Sequence, residues 1–146
     1  MTYVLVDDDP ADLELLRVAL SDVVAGRDIV ACSNADAALE WLEINLGVAA
    51  ASPVTVITDL KMPRCDGAQL VETIRRRWPP GPVVIVLSTS ERQSDATRAF
   101  AAGGNAYHAK PMGFHDTVEL CRRIDSYWST VVPPVALPAE GLGQTA

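Results

Sequence analysis

Asp59 closes the β-branched run Val54-Thr55-Val56-Ile57-Thr58, and Asp7-Asp8-Asp9 closes another, Tyr3-Val4-Leu5-Val6. Short runs of this kind read as buried strands, so both sets of carboxylates stand where a strand leaves its sheet. In a parallel sheet the strands leave at one edge, and ligands bind in the crevice outside those ends. The two acidic ends therefore form one acidic crevice. Carboxylates crowded in this way need a raised pKa or a divalent cation. Ser88 and Thr89 end the run Val83-Val84-Ile85-Val86-Leu87, and Lys110 follows Ala106-Tyr107-His108-Ala109. They add a hydroxyl and an ammonium to the same crevice. Asp8 and Asp59, with a backbone carbonyl near Lys61, suit the octahedral oxygen ligation that magnesium prefers. A carboxylate beside Mg²⁺ can attack phosphorus and form an aspartyl phosphate. Lys110 would then supply charge, and Ser88 a hydrogen bond, to the equatorial oxygens.

These residues require five strands alternating with helices. Asp9-Pro10 reads as an N-cap followed by Pro at the first helical position, with Leu13, Leu16 and Leu20 on one face of the helix. Asp28–Cys32 is a weaker strand, and Asn34 caps a helix carrying Ala38, Leu42 and Leu46. Residues Gly47 to Pro53 form a loop into the central strand. Gly67 opens a third helix with Leu70 and Ile74 inward, and Pro79-Pro80-Gly81-Pro82 ends it. Ser90-Glu91-Arg92-Gln93 fits a capping box for a helix that buries Ala96 and Phe100 and stops at Gly103-Gly104. The last helix runs from about Phe114 to Val131, with Val118, Cys121, Ile124 and Trp128 toward the core. Strict alternation means parallel strands joined by right-handed crossovers. The expected fold class is α/β, a doubly wound (βα)5 five-stranded parallel sheet of flavodoxin-like order 2-1-3-4-5. Residues 1–132 form one domain, and 133–146 a Pro-rich C-terminal tail.

Composition narrows the function. The chain has 146 residues, 49% of them hydrophobic, enough for one domain with a sizeable core and too apolar for disorder throughout. A net charge of −7 argues against a nucleic-acid partner, which needs clustered Lys and Arg. Cys32, Cys65 and Cys121 lack metal-ligand spacing and read as reduced thiols filling space. Three aspartates within the first ten residues exclude a signal peptide, and no apolar run approaches the ~20 residues of a membrane span. A soluble, cytoplasmic protein is expected.

At this point the chain resembles the response-regulator receiver domain of two-component signalling, over about residues 2 to 131. The residues that carry the likeness are Asp7-Asp8, Asp59 with Met62-Pro63 and Asp66-Gly67, Ser88, and Lys110-Pro111, in order at successive strand exits. The resemblance implies that Asp59 is the phosphoacceptor for a sensor histidine kinase. It implies a Mg²⁺ site from Asp8, Asp59, Asp7 through a water, and the Lys61 carbonyl. It further implies phosphoryl contacts from Lys110 and Ser88, a switch formed by Ser88 and Tyr107, and a cis peptide before Pro111. Asp9-Pro10-Ala11-Asp12, Leu87-Ser88-Thr89-Ser90, Gly104-Asn105-Ala106-Tyr107 and Tyr127–Val132 resemble the single-domain regulators of bacterial phytochrome-type kinases. That likeness implies a homodimer and a light-regulated kinase.

Lys61 lies two residues after the acceptor, where its charge can reach the phosphoryl group or the acidic pocket, so unusual dephosphorylation kinetics are expected. Ser88 stands where Thr is more frequent and keeps the hydroxyl. Asp9 reads as a cap, Asp66-Gly67 as turn chemistry, and His108 points to the face opposite Tyr107. Leu120, Tyr127 and Val131 form a second apolar stripe on the last helix, which with the tail suggests pairing of like helices. Two other functions compete. A metal-dependent phosphohydrolase would use Asp7-x-Asp9 on the first strand, although Pro10 follows at once. A phosphorylation-independent interaction module would have a decayed site, whereas this set is intact. The chain is not expected to be an enzyme beyond self-phosphorylation and autodephosphorylation.

Overall fold

The computed structural model describes residues 1–46 and 52–131. Its elements are β1 (Thr2–Val6), α1 (Pro10–Val23), β2 (Asp28–Cys32), α2 (Ala35–Leu46), β3 (Val54–Asp59), α3 (Gly67–Arg77), β4 (Val83–Ser88), α4 (Gln93–Ala101), β5 (Ala106–Ala109) and α5 (Phe114–Trp128). All strand pairs are parallel, in the order β2-β1-β3-β4-β5, as expected. Residues 47–51 of the loop before β3, Val132 and the tail at 133–146 lie outside the described residues, and so does the domain boundary expected there. Among the described residues no helix is long and apolar enough to cross a membrane.

Alternation along the central strands divides the core in two. Tyr3, Leu5, Ile57, Ile85 and Leu87 meet Leu16, Leu20, Cys121 and Ile124 from α1 and α5. Val4, Val6, Val56, Val84 and Val86 meet Leu42, Leu70, Val71 and Ile74 from α2 and α3. With both faces covered, β1, β3 and β4 bury every residue, which is why their sequences are continuous apolar runs. Each large side chain fully buried there contributes about 1.5–3 kcal/mol. The register sets Val6 beside Thr58 and Asp59 beside Leu87, so Asp7 and Asp59 leave the sheet side by side.

The caps expected at α1 and α2 form, and a third that was not expected forms at α3. Asp9 accepts from the N–H groups of Ala11 and Asp12, with Pro10 in the first turn. Asn34 accepts from Ala37 at 2.8 Å, and Asp66 closes a capping box with Gln69. At α4 the expectation fails. The helix starts at Gln93 with Arg92 at its N-cap and no side-chain cap bond. Ser90 Oγ instead accepts from Arg92 N–H at 3.2 Å and donates to Asp95 at 2.5 Å, so the hydroxyl closes a turn two residues on in place of the N3 bond that a capping box requires. The helix is also rotated from the expected phase. Ala99 is buried, while Phe100 is 52% exposed. Gly104 N–H bonds the Ala99 carbonyl at 3.0 Å, and so close an approach suits a small side chain.

Two further corrections concern α5. It ends at Trp128 rather than near Val131, and Leu120 belongs to the core with Cys121 and Ile124 rather than to a second exposed stripe. Packed against both the sheet and α1, the helix buries a wider arc than a single stripe. Arg75, which the sequence did not single out, ties the end of α3 to both neighbouring turns. Its guanidinium donates to the carbonyls of Gly103 (2.9 Å), Pro80 (3.2 Å) and Pro82 (2.7 Å) and to Asn105 Oδ1 (2.7 Å).

Candidate functional site

Four strand ends place their polar residues at one edge of the sheet. Asp7, just past β1, is buried, and Asp8 beside it is exposed. Asp59 ends β3 and is 9% exposed. Ligand oxygens from Asp7, Asp8 and Asp59 lie within 4.8 Å of one another. Asp7 Oδ1 accepts from Asp9 N–H at 3.0 Å, and Asp7 Oδ2 accepts from Lys110 Nζ at 2.8 Å. Lys110 Nζ also stands 3.4 Å from Asp59 Oδ2. The turn out of β5 is pinned by Lys110 N–H on the Ser88 carbonyl at 2.8 Å, so the ammonium, the Ser88 hydroxyl and the Asp59 carboxylate are positioned together.

Burial, with Asp7 added, raises the pKa of Asp59, and Lys110 and the Leu60 N–H only partly oppose this. Burial works against the charge of Lys110. Its hydrogen bonds to Asp7 and Asp12 and the charges of Asp59 and Asp7 nevertheless lift its pKa, keeping it an ammonium. Three converging carboxylates with one shared cation are an all-oxygen donor set short of positive charge, which fits a hard divalent ion such as magnesium.

The two residues expected to form a switch are also brought together. Ser88 is buried at the end of β4, and its Oγ accepts from Ser90 N–H at 3.1 Å. Tyr107 packs beside the α2–α3 core, and its hydroxyl donates to the Ser90 carbonyl at 2.7 Å. His108, next along β5, takes the opposite face by alternation, and its pKa is lowered by burial and, secondarily, by Arg123.

Two expectations change. The peptide before Pro111 is not cis; among the described residues the cis bond is Pro79–Pro80. The ordinary preference of an X–Pro bond for trans holds at Pro111, and Lys110 still reaches all its acidic partners. Lys61, whose charge was expected to reach the phosphoryl group or the acidic pocket, pairs with Asp95 in the first turn of α4 at 3.6 Å. The Asp-x-Asp reading of the first strand does not assemble either, since the Asp9 carboxylate is occupied capping α1.

Two contributors were not read from the sequence as site residues, and a third, Gly67, was read only as part of the family likeness and as turn chemistry. Asp12, in the first turn of α1, accepts from Lys110 Nζ at 3.1 Å. Asp95 joins Lys61 to Ser90. Gly67 packs against the Asp59 and Leu60 backbone, donating its N–H to the Leu60 carbonyl at 2.9 Å. Asp12 was visible only as part of a four-residue likeness, and Asp95 only as an acidic residue in the first turn of a helix.

The family model described as Response regulator receiver domain matches residues 4–124. Among curated relatives, the chain is 32% identical over 126 residues to the probable methanogenesis regulatory protein FilR2 of Methanothrix harundinacea, covering 85% of this chain and 81% of that one. It is 27% identical over 140 residues to the response regulator Rcp1 of Synechocystis sp., covering 90% and 92% of the two chains. A solved structure of response regulator RPA3017, described as acting in red light signaling of R. palustris, superposes with a TM-score of 0.76 at 31% identity, covering 92% of this chain and 99% of that one.

Proposed function

The chain belongs to the response regulator receiver domain family, and from that premise we propose that it accepts a phosphoryl group from a sensor histidine kinase on Asp59 and signals by changing what it binds. The observation that carries this reading is Asp59 at 3.4 Å from Lys110 Nζ, in one cluster with Asp7 and Asp8. An Asp59 carboxylate oxygen attacks the phosphorus of a phosphohistidine. The O–P bond forms as the P–N bond breaks, and the electron pair leaves on the imidazole nitrogen. Water later attacks the same phosphorus; the Asp59–phosphorus bond breaks, the carboxylate returns, and inorganic phosphate leaves. Lys110 meets the equatorial oxygens with its ammonium, and Ser88 donates a hydrogen bond to them once its hydroxyl turns from Ser90. Tyr107 follows that turn, since Ser90 joins the two. Asp8, Asp59, Asp7 through a water, and the Lys61 carbonyl would hold Mg²⁺, which supplies countercharge to carboxylates and phosphoryl oxygens. On this reading the chain is a phosphoacceptor with self-phosphorylation and autodephosphorylation chemistry, not an enzyme acting on an outside substrate. It works in the cytoplasm, and a homodimer through α5 and the tail is part of the proposal.

A phytochrome-type kinase is the proposed partner. The four-segment sequence likeness and the 31% identity to a red-light regulator support it. The experiment is Mg²⁺-dependent labelling of the full chain by acetyl phosphate, then by purified histidine kinases of the source genome. Label on Asp59, absent from Asp59→Asn, is the expected result. Undiminished labelling of a folded Asp59→Asn sinks the acceptor assignment.

A further inference from the structure

Lys110 has more acidic partners than phosphoryl contact requires. An ammonium has three N–H donors. Here one goes to Asp7 at 2.8 Å and one to Asp12 at 3.1 Å, while Asp59 is the most distant carboxylate at 3.4 Å. Asp12 belongs to none of the strand ends. It is fixed in the first turn of α1, where its own N–H is held by the Asp9 cap at 3.1 Å. Its side chain is 47% exposed, against 6% for Asp7 and 10% for Asp59. Of the three carboxylates, Asp12 is therefore the one whose bond to Lys110 water can replace at least cost.

We propose that Asp12 is a positioning residue that holds the Lys110 ammonium on the α1 side of the pocket and releases it when a phosphoryl group arrives on Asp59. The proposal rests on the reading of Asp59 as the phosphoacceptor. In the resting chain Asp12 competes with the acceptor for Lys110, so it restrains phosphorylation. Asp7 cannot play that part, being buried and paired on both oxygens. Replacing Asp12 with Asn keeps the side-chain shape and removes the charge that draws Lys110 aside. The ammonium then moves toward Asp59 and the incoming donor. Because a half-exposed ion pair is weak, the gain in labelling rate is a few-fold, no more than about fivefold.

The test uses the full chain as wild type, Asp12→Asn, Lys110→Gln and the double variant, labelled with acetyl phosphate in saturating Mg²⁺. Faster labelling of Asp12→Asn, with the gain lost in the Lys110→Gln background, is the expected result. A rate at or below wild type overturns the proposal. So does an equal gain without Lys110, since Asp12 would then act on the anionic donor directly. A second readout needs no phosphorylation: the Lys110 side-chain resonances, followed by heteronuclear NMR, should shift on Asp12→Asn. If the wild type takes no label, the acceptor reading fails on its own, and an unmoved Lys110 signal removes the tether separately.

Discussion

A methyl group has no room at Gly67. An added Cβ would lie 2.3 Å from the Asp59 carbonyl oxygen and 2.9 Å from Leu60 Cα, and both are backbone, which cannot swing aside. Gly67→Ala should therefore cost about 1–3 kcal/mol, as overpacking does, and should slow labelling because the strain falls on the acceptor's own peptide. Urea unfolding and the acetyl phosphate labelling rate check the two halves, and an unchanged labelling rate would mean that this contact does not position the acceptor. Residues of this kind mark what one sequence can disclose. Asp7, Asp8, Asp59, Ser88 and Lys110 were legible because each ends a strand, and the edge of a parallel sheet gathers strand ends. Gly67 read as turn chemistry and as part of the family likeness, without its contact to Asp59, since its nearest neighbours in space belong to the strand end several residues earlier. Asp12 and Asp95 were not legible for a related reason: the groups they bind, Lys110 and Lys61, arrive through the fold and not through local spacing. The cis peptide expected at Pro111 came from likeness alone, with no local chemistry to support it.

Among the elements, the strands and α1, α2 and α3 could be placed from pattern because two-sided burial and side-chain caps leave clear marks in the sequence. The phase of α4 could not, because a helix of nine residues that buries only Ala99 has little apolar periodicity. For α5 the stripe was legible but its width was not, and this bears on the proposed dimer. With Leu120 in the core, the apolar surface that α5 offers a second copy is centred on Tyr127, which is 60% exposed with its ring edge-on to Trp128 at 4.9 Å. One exposed aromatic is little beside the ~800 Å² per partner of a standard interface, so the proposed pairing draws on residues beyond Val131 as well. Sedimentation of the full chain at micromolar concentration should give a dimer, and truncation after Val131 a monomer. A monomer in both, with and without phosphorylation, removes the dimer.

At the scale of the whole molecule, folding assembles charges that an unfolded chain keeps apart. The proposed Mg²⁺ site is assembled only by folding, so magnesium should raise the melting temperature. A concentration of ten times Kd corresponds to about 1.4 kcal/mol, and Asp8→Ala should remove most of the gain. A melting temperature indifferent to tens of millimolar Mg²⁺ counts against the pocket. His108 gives a second, opposite dependence on solution conditions. Burial lowers its pKa below the ordinary 6.5, with Arg123 adding to the effect, because an imidazolium on this half-buried face of β5 would be poorly solvated beside another cation. A histidine whose folded pKa is depressed binds more protons unfolded than folded, so stability rises with pH through that interval. The His108 contribution is therefore complete above about pH 7 and is lost as pH falls through 6.5 toward the lower folded value. Carboxylates titrate mostly below this window, which leaves it readable. Urea unfolding of the wild type between pH 7.5 and 5.5 should show a decline that His108→Gln flattens; equal slopes in the two proteins would mean that His108 is solvated well enough to carry its charge in the folded chain.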